Sequence, residues 1–95
     1  MGRLEVAKHL IASGALVNQA KKDGSTPLYI ASCNGHLEVA KHLIASGALV
    51  NNANNRRRTP LYIASRKGHL EVAKHLIAYP GFILHKILEK ILFLL

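Results

Sequence analysis

Apolar and polar residues between positions 37 and 46 alternate with the period of an amphipathic helix. The apolar side chains fall on one stripe, and charged or small side chains occupy the opposite face. The stripe comprises Leu37, Val39, Ala40, Leu43 and Ile44. Gly47 ends the pattern, so the sequence predicts a helix of about 37–46.

A shorter helix is predicted immediately before this one. Thr26 is a suitable N-cap, and Pro27 suits the first helical position because its missing N–H group needs no partner there. Gly35 suits the C-terminal stop, which gives a helix of about 27–34. The segment ALVNNANNRRR after Gly47 has no helical period and is rich in asparagine, so it predicts an extended turn.

Most of the chain repeats these two helices. Residues 59–78 copy residues 26–45 at an offset of 33, with Arg66 and Lys67 in place of Cys33 and Asn34. The start of the chain, residues 2–18, copies residues 35–51 at the same offset. A fixed period of this length is typical of a repeat array.

The repeated unit resembles the ankyrin repeat. The matching segments are TPLYIA at 26–31 and 59–64, GHLEVAKHLI at 35–44 and 68–77, and GALVN at 14–18 and 47–51. The resemblance implies an all-α solenoid of stacked helix-turn-helix units, each with a projecting hairpin loop. We therefore divide the chain into a partial first repeat at 1–22, a complete repeat at 23–55, a third repeat at 56–81 that is degenerate at its end, and a non-repeat amphipathic tail at 82–95.

Two features depart from the family pattern. Tyr29 and Tyr62 occupy the position after TPL where the family usually has histidine. The hairpin loop of the third unit carries Arg56-Arg57 where the previous loop has Asp23-Gly24. Glycine is the residue best able to adopt positive φ in a tight turn, so we expect the third-unit loop to be looser or slightly strained.

The repeat register predicts six helices and a continuous core. The helices are expected at about 4–13, 27–34, 37–46, 60–67, 70–78 and 83–95. The core is expected to comprise Leu4, Val6, Leu10, Ile11, Leu28, Ala31, Leu37, Val39, Ala40, Leu43, Ile44, Leu61, Ala64, Leu70, Val72, Ala73, Leu76 and Ile77.

The two ends of the array differ from its middle. Gly2 aligns with Gly35, so the first unit lacks its first helix and one side of the stack should be uncovered. Pro80 should end the preceding helix near Ala78. From Tyr79 onward the sequence no longer matches the repeat.

The tail has apolar and polar halves on a helical wheel but is too short and too charged for a membrane span. Its apolar stripe comprises Ile83, Leu84, Ile87, Leu88, Ile91, Leu92, Leu94 and Leu95. We interpret the tail as a cap on the last repeat, and the alternative is accidental sequence. A functional cap predicts that truncation after Gly81 unfolds or aggregates the protein.

Composition narrows the class of protein. The chain has 95 residues, a net charge of +8 and one cysteine, which excludes an internal disulfide. The N-terminal segment contains charged residues and does not resemble a secretory signal. We therefore expect an intracellular protein, cytoplasmic or nuclear. Each EVAK segment is electrically neutral, so the excess positive charge is concentrated in the third unit.

The sequence argues against an enzyme, a cofactor site and a metal site. It has no glycine-rich phosphate loop, no paired Cys/His spacing and no nucleophile with a plausible base. His9, His42 and His75 recur once per unit, but equivalent points on packed helices are too far apart to share a metal. Each follows a glutamate by four residues, which indicates surface pairs instead.

The resemblance implies partner contacts at the hairpin tips and at the exposed end of each first helix. The positions that match are Lys22, Asp23, Ser25, Cys33, Asn34, Asn55, Arg56, Arg58, Arg66 and Lys67. We interpret the chain as a protein interaction module, or scaffold, whose basic concave face binds an acidic protein or peptide.

Two other interpretations remain open. The basic clusters could bind nucleic acid electrostatically, but the sequence has no groove-reading motif and no aromatic residues interleaved with them. The chain could also be a fragment of a longer ankyrin-repeat protein without an independent function. The sequence does not predict the partner's identity, the pathway or the oligomeric state.

Overall fold

A computed structural model of the protein describes residues 2–94, apart from the side chains of residues 84–86, 88 and 89. Its regular elements over that range are six α-helices, and it contains no strand there. The helices are α1 (Gly2–Ala12), α2 (Pro27–Cys33), α3 (Leu37–Ala45), α4 (Pro60–Lys67), α5 (Leu70–Ala78) and α6 (Pro80–Leu94). The predicted all-α solenoid is confirmed.

The helices form two layers. The inner layer contains α2 and α4, which make the most extensive helix contact in the described chain. The outer layer contains α1, α3 and α5, with α3 packed between the other two. Within each complete unit the inner helix also packs on its outer partner, α2 on α3 and α4 on α5.

Local sequence explains where the inner helices begin. Thr26 Oγ1 accepts a hydrogen bond from Tyr29 N at 3.2 Å, and Thr59 Oγ1 accepts one from Tyr62 N at 3.1 Å. In both helices proline follows the threonine cap, where the lack of an N–H group costs no hydrogen bond. The predicted N-caps are confirmed.

Most helix boundaries lie within about one to two residues of the predicted ones, but the tail helix starts earlier. α5 ends at Ala78, as the position of Pro80 predicts. α6 then begins at Pro80 rather than at residue 83, because proline is accepted at the first position of a new helix. The expected last residue of the tail, Leu95, lies outside the described residues.

The predicted core is confirmed in the middle of the stack and wrong at its ends. Leu28, Ala31, Ala40, Leu43, Ile44, Ala64, Val72 and Leu76 are buried and form one cluster. Leu4, Ile11, Leu37, Val39, Leu61 and Ala73 are half-buried. Val6, Leu10, Leu70 and Ile77 are exposed. The exposed four lie on α1 and α5, which lack a repeat unit on one side.

Among its described side chains, the tail contributes one buried residue to the core. Phe82 is buried and joins the core cluster, and α6 packs against α5. Five of the eight aliphatic residues predicted to form the covering stripe are exposed, namely Ile83, Ile87, Ile91, Leu92 and Leu94. The side chains of Leu84 and Leu88 and the whole of Leu95 lie outside the description. Over the described stripe, the expected burial on the last repeat does not occur.

Candidate functional site

The candidate surface is built on the tips of the two hairpin loops. In the first loop Lys21 N donates to Ser25 O, and in the second Asn54 N donates to Arg58 O, both at 2.9 Å. A further backbone bond closes each turn, from Gly24 N to Lys21 O and from Arg57 N to Asn54 O. The same backbone geometry therefore recurs in both loops although their sequences differ.

Asn55 joins the two loops to each other. Its backbone N donates to Asp23 O at 2.9 Å, and its Nδ2 donates to Lys22 O at 3.0 Å. Gly24 makes this approach feasible, since a Cβ atom there would lie 2.6 Å from Asn55 Oδ1. The tips are therefore one continuous surface that extends from the second unit to the third.

The third-unit loop carries the predicted strain. Arg57 occupies the position equivalent to Gly24 and has a φ of 62°, the left-handed conformation that disfavours residues with a Cβ atom. The loop has its own compensation. Asn54 Oδ1 accepts hydrogen bonds from Arg56 N at 2.9 Å and Arg58 N at 3.1 Å. Side-chain support of the backbone thus replaces the freedom that glycine would give.

Asp23 performs a related role in the second-unit loop. Its Oδ1 accepts a hydrogen bond from Ser25 N at 2.9 Å. That backbone hydrogen bond lowers the pKa of the Asp23 carboxyl below its usual value, with smaller contributions from the Ser25 side chain and from Lys21. Asp23 is therefore ionised at neutral pH and holds the shape of the tip.

The third-unit cations lie at both ends of α4. Arg56 is exposed at the loop tip, and Arg66 and Lys67 are exposed in the last turn of the helix. Arg58 is half-buried, and its guanidinium carbon lies 5.4 Å from the centre of the Tyr62 ring. That distance is typical of a cation–π contact, so Arg58 is held in place more firmly than the other three.

The candidate residues of the second unit differ in accessibility. Lys22, Asp23 and Asn34 are exposed, and Cys33 is a half-buried free thiol. Ser25 is buried, so its side chain is not available to a partner and we remove it from the candidate surface. It lies under the tip because it pairs with Lys21 and Asp23 across the base of the loop.

The histidines at the start of the outer helices have structural contacts. The His69 ring lies 3.0 Å from Cys33 O, so it ties the third unit to the end of α2. Gly35 leaves room for that ring, because a Cβ atom there would lie 2.6 Å from His69 Nδ1. At the equivalent position one unit earlier, His36 Nε2 lies 2.9 Å from Arg3 Nη1. Both rings therefore contact the preceding unit.

The outer-helix glutamates pair differently from the prediction. They form ion pairs with the lysines three residues later, over 4.0 Å for Glu5–Lys8, 3.7 Å for Glu38–Lys41 and 3.8 Å for Glu71–Lys74. These are the ion pairs found among the described side chains, and the predicted pairs with His9, His42 and His75 are wrong. Lysine has the longer side chain, so its ammonium group can reach the glutamate one turn earlier.

The described residues contain no group of three or more His, Cys, Asp or Glu side chains that could hold a metal ion. Over the same residues, no helix is long and apolar enough to cross a membrane.

Sequence reasoning missed two asparagines, one of which joins the first unit to the second and the other the second unit to the tail. Asn18 Oδ1 accepts from Leu49 N at 2.9 Å, and its Nδ2 donates to Gly47 O at 3.2 Å. Asn51, one repeat later, is buried and donates through Nδ2 to Phe82 O at 2.9 Å. Their recurrence at an offset of 33 is the signal that could have identified them.

Comparison with known proteins agrees with this architecture. A family model of ankyrin repeats, in three copies, matches residues 1–86. No curated protein matches the sequence. Ankyrin repeats generally act as protein interaction modules, and they are typically binding modules without enzymatic activity. With a match over most of its length and two layers of stacked helices, the chain belongs to the ankyrin-repeat family.

Proposed function

We propose that this ankyrin-repeat chain binds an acidic protein surface or peptide through a basic face made of Arg56, Arg58, Arg66 and Lys67. The observation that carries the proposal is a difference in charge pairing. The lysines of the outer helices each face a glutamate, whereas these four cations have no ion pair with a described acidic side chain. Unpaired cations remain available for carboxylates of a partner.

The neighbouring tip residues extend this face toward the second unit. Asn55 is hydrogen-bonded to the loop that carries Lys22 and Asp23, so the polar groups of both tips are held at a fixed spacing. Asn34 and Cys33 lie at the C-terminal end of α2, as Arg66 and Lys67 do on α4. A partner that crosses both units would meet these positions in register, and a preordered surface loses little entropy on binding.

The experiment compares two triple charge reversals. In the first variant Arg56, Arg66 and Lys67 become glutamate, and Arg58 is kept because it packs on Tyr62. The matched control reverses the already paired Lys8, Lys41 and Lys74. Each reversal changes the charge by two, so both variants fall from a net charge of +8 to +2.

Binding is measured with an immobilised protein and a library of acidic peptides, and circular dichroism checks that both variants stay helical. We expect the basic-face variant to lose at least about tenfold in peptide recovery, while the control retains it. Exposed charge changes alter stability by no more than about 0.5 kcal/mol each, so folding should be preserved. Equal recovery by the two variants would refute the proposed face.

The same variants distinguish a nucleic-acid-binding alternative. Single-stranded and duplex oligonucleotides replace the peptides in a second assay, at two salt concentrations. Near the cations, the described aromatic ring on which a base could stack is Tyr62, which is exposed and lies against Arg58. If the basic-face variant loses oligonucleotide binding and keeps all peptide binding, the nucleic-acid function replaces the one proposed here.

We further propose an intracellular location for this interaction. The support is the single cysteine, which is a free thiol, together with the usual setting of ankyrin repeats. Fluorescence microscopy of the tagged chain would test this location. Signal confined to the medium or the secretory pathway would contradict it.

A further inference from the structure

The second and third units differ in the charge around one tyrosine. Tyr62 of the third unit has Arg58 four residues before it and Arg66 four residues after it. The second unit has the same segment TPLYIAS, but serine and cysteine occupy the two flanking positions around its tyrosine. The third unit therefore carries two guanidinium groups beside a ring that has none in the second.

Arg58 is already held at this ring. Its guanidinium carbon lies 5.4 Å from the centre of the Tyr62 ring, and its backbone N donates to Asn54 Oδ1 at 3.1 Å. A cation–π contact uses none of the guanidinium N–H donors in a hydrogen bond. Among the described side chains the ion pairs are those of the outer-helix lysines, so Arg58 is fixed in position and keeps its donors for an anion.

Arg66 lies on the other side of the ring. It is exposed in the last turn of α4, about one helical turn after Tyr62. Because a helical side chain covers the turn N-terminal to its own Cα atom, helix geometry directs Arg66 toward Tyr62. Tyr62 is 41% exposed, and its hydroxyl is a further donor beside the two arginines. An anion at the ring therefore meets donors from three side chains.

This set of donors suits a phosphate better than a carboxylate. One guanidinium fork satisfies both oxygens of a carboxylate, whereas a phosphate monoester has three terminal oxygens and a charge of about −1.5 to −2 at pH 7. A phosphate can therefore accept from both arginines at once. The sequence between Glu38 and Glu71 contains no acidic residue that would compete for them. In the neighbouring loop, the Asp23 carboxylate accepts from Ser25 N.

We propose that the third unit recognises a phosphate monoester on the partner peptide, as phosphoserine or phosphothreonine, between Arg58 and Arg66 beside Tyr62. This inference rests on the proposed function, because it names the acidic group that the basic face binds. Arg56 and Lys67 contribute through their charge, which attracts the rest of an acidic partner. The phosphate itself is held by the two arginines at the ring.

The first test uses two peptide libraries that differ at one position. The acidic library is made with either phosphoserine or glutamate at its centre, and each version is passed over the immobilised chain. We expect recovery of the phosphoserine version to be at least about tenfold higher. Equal recovery would overturn the phosphate assignment and leave the acidic-partner function standing. Recovery of neither version would overturn both.

Two charge-conserving substitutions locate the phosphate. Arg66→Lys keeps the positive charge but removes the planar fork, whereas Arg56→Lys makes the same change at an exposed arginine of the loop tip. Fluorescence anisotropy measures binding of the phosphoserine peptide that the library selects. We expect at least about fivefold weaker binding by Arg66→Lys and no more than about a twofold change for Arg56→Lys. Equal effects would show that charge alone is recognised, which contradicts the proposal.

A third variant tests the ring. Tyr62→Leu removes the surface that holds Arg58 and leaves both arginines in place. Tyr62 is exposed, so the chain should still fold, and circular dichroism checks this. We expect phosphoserine-peptide binding to weaken at least about threefold, while the glutamate peptide binds as before. Unchanged binding of the phosphoserine peptide by Tyr62→Leu would overturn the assignment of the phosphate to this ring.

Discussion

The three outer helices have one sequence and three environments. Each contains LEVAKHLIA, at 4–12 in α1, 37–45 in α3 and 70–78 in α5. The single isoleucine of this sequence is 4% exposed in α3, as Ile44, and 56% exposed in α5, as Ile77. Leu10 in α1 is exposed, while Leu43 and Leu76 are buried. Identical residues therefore have different burial, and the neighbouring helices account for the difference.

The contacts of α3 explain why it alone is covered on both sides. It packs on α1 and α5 in the outer layer and on α2 in the inner layer. α1 has α3 on one side and an apolar groove on the other, whereas α5 is followed by α6. Because α6 leaves Leu70 and Ile77 exposed, it does not reproduce the cover that a further repeat would give.

The largest expected effect comes from truncating the same leucine in two helices. Leu43→Ala removes a buried side chain and should destabilise the chain by about 2–5 kcal/mol, enough to threaten a protein of this size. Leu10→Ala should cost less than about 1 kcal/mol, because the side chain is half exposed. Urea titrations followed by circular dichroism measure both. Equal losses would show that the environments are the same in solution.

A slightly smaller loss of stability is expected from truncating the tail, and two truncations distinguish the contribution of Phe82 from that of the residues after it. Ending the chain after Gly81 removes the buried Phe82 and the hydrogen bond from Asn51 to its carbonyl, so we expect a loss of about 2–4 kcal/mol. Ending it after Leu84 keeps both interactions. Thermal melts and size-exclusion chromatography compare the two truncations with the full chain. If they are equally unstable, residues beyond 84 cover the stack more than the described side chains indicate.

The inner helices allow a similar comparison with serine. Ser32 is fully buried, and its hydroxyl has no hydrogen-bond partner among the described groups, whereas the equivalent Ser65 is exposed. Ser32→Ala removes an unpaired polar group and should stabilise the chain by about 1 kcal/mol. Ser65→Ala should change stability by no more than about 0.5 kcal/mol. A destabilised Ser32→Ala variant, measured in urea, would mean that the hydroxyl is bonded.

The smallest predicted effect lies in the hairpin loops. Arg57→Gly relieves the positive φ of the third-unit loop and should stabilise the chain by about 0.5–1 kcal/mol, after allowance for the added freedom of the unfolded state. Gly24→Ala in the other loop should destabilise it, since the new Cβ atom would meet Asn55. Differential scanning calorimetry follows both substitutions. No gain from Arg57→Gly would indicate that the Asn54 contacts already remove the strain.

Local sequence was sufficient to predict the repeat, the helix caps and the strain in the third-unit loop. Thr26 and Thr59 cap their helices through bonds to residues three positions away, so each cap depends on a few consecutive residues. The presence of Arg57 where the previous loop has glycine likewise predicted a strained turn, because backbone φ is a local property. The fixed period of these local signals indicated a repeat array, and the resemblance of the repeated segments to the ankyrin repeat implied the architecture.

Tertiary structure decided burial and accessibility. The sequence could not show that Ile77 is exposed while Ile44 is buried, because the two occupy equivalent positions of the repeat and differ only in what packs beside them. It could not show that Ser25 lies beneath the loop tip or that Asn51 reaches Phe82, since both depend on how separate segments approach. In a repeat array the local sequence sets the shape of each unit, and the contact area with neighbouring units sets which apolar groups leave water.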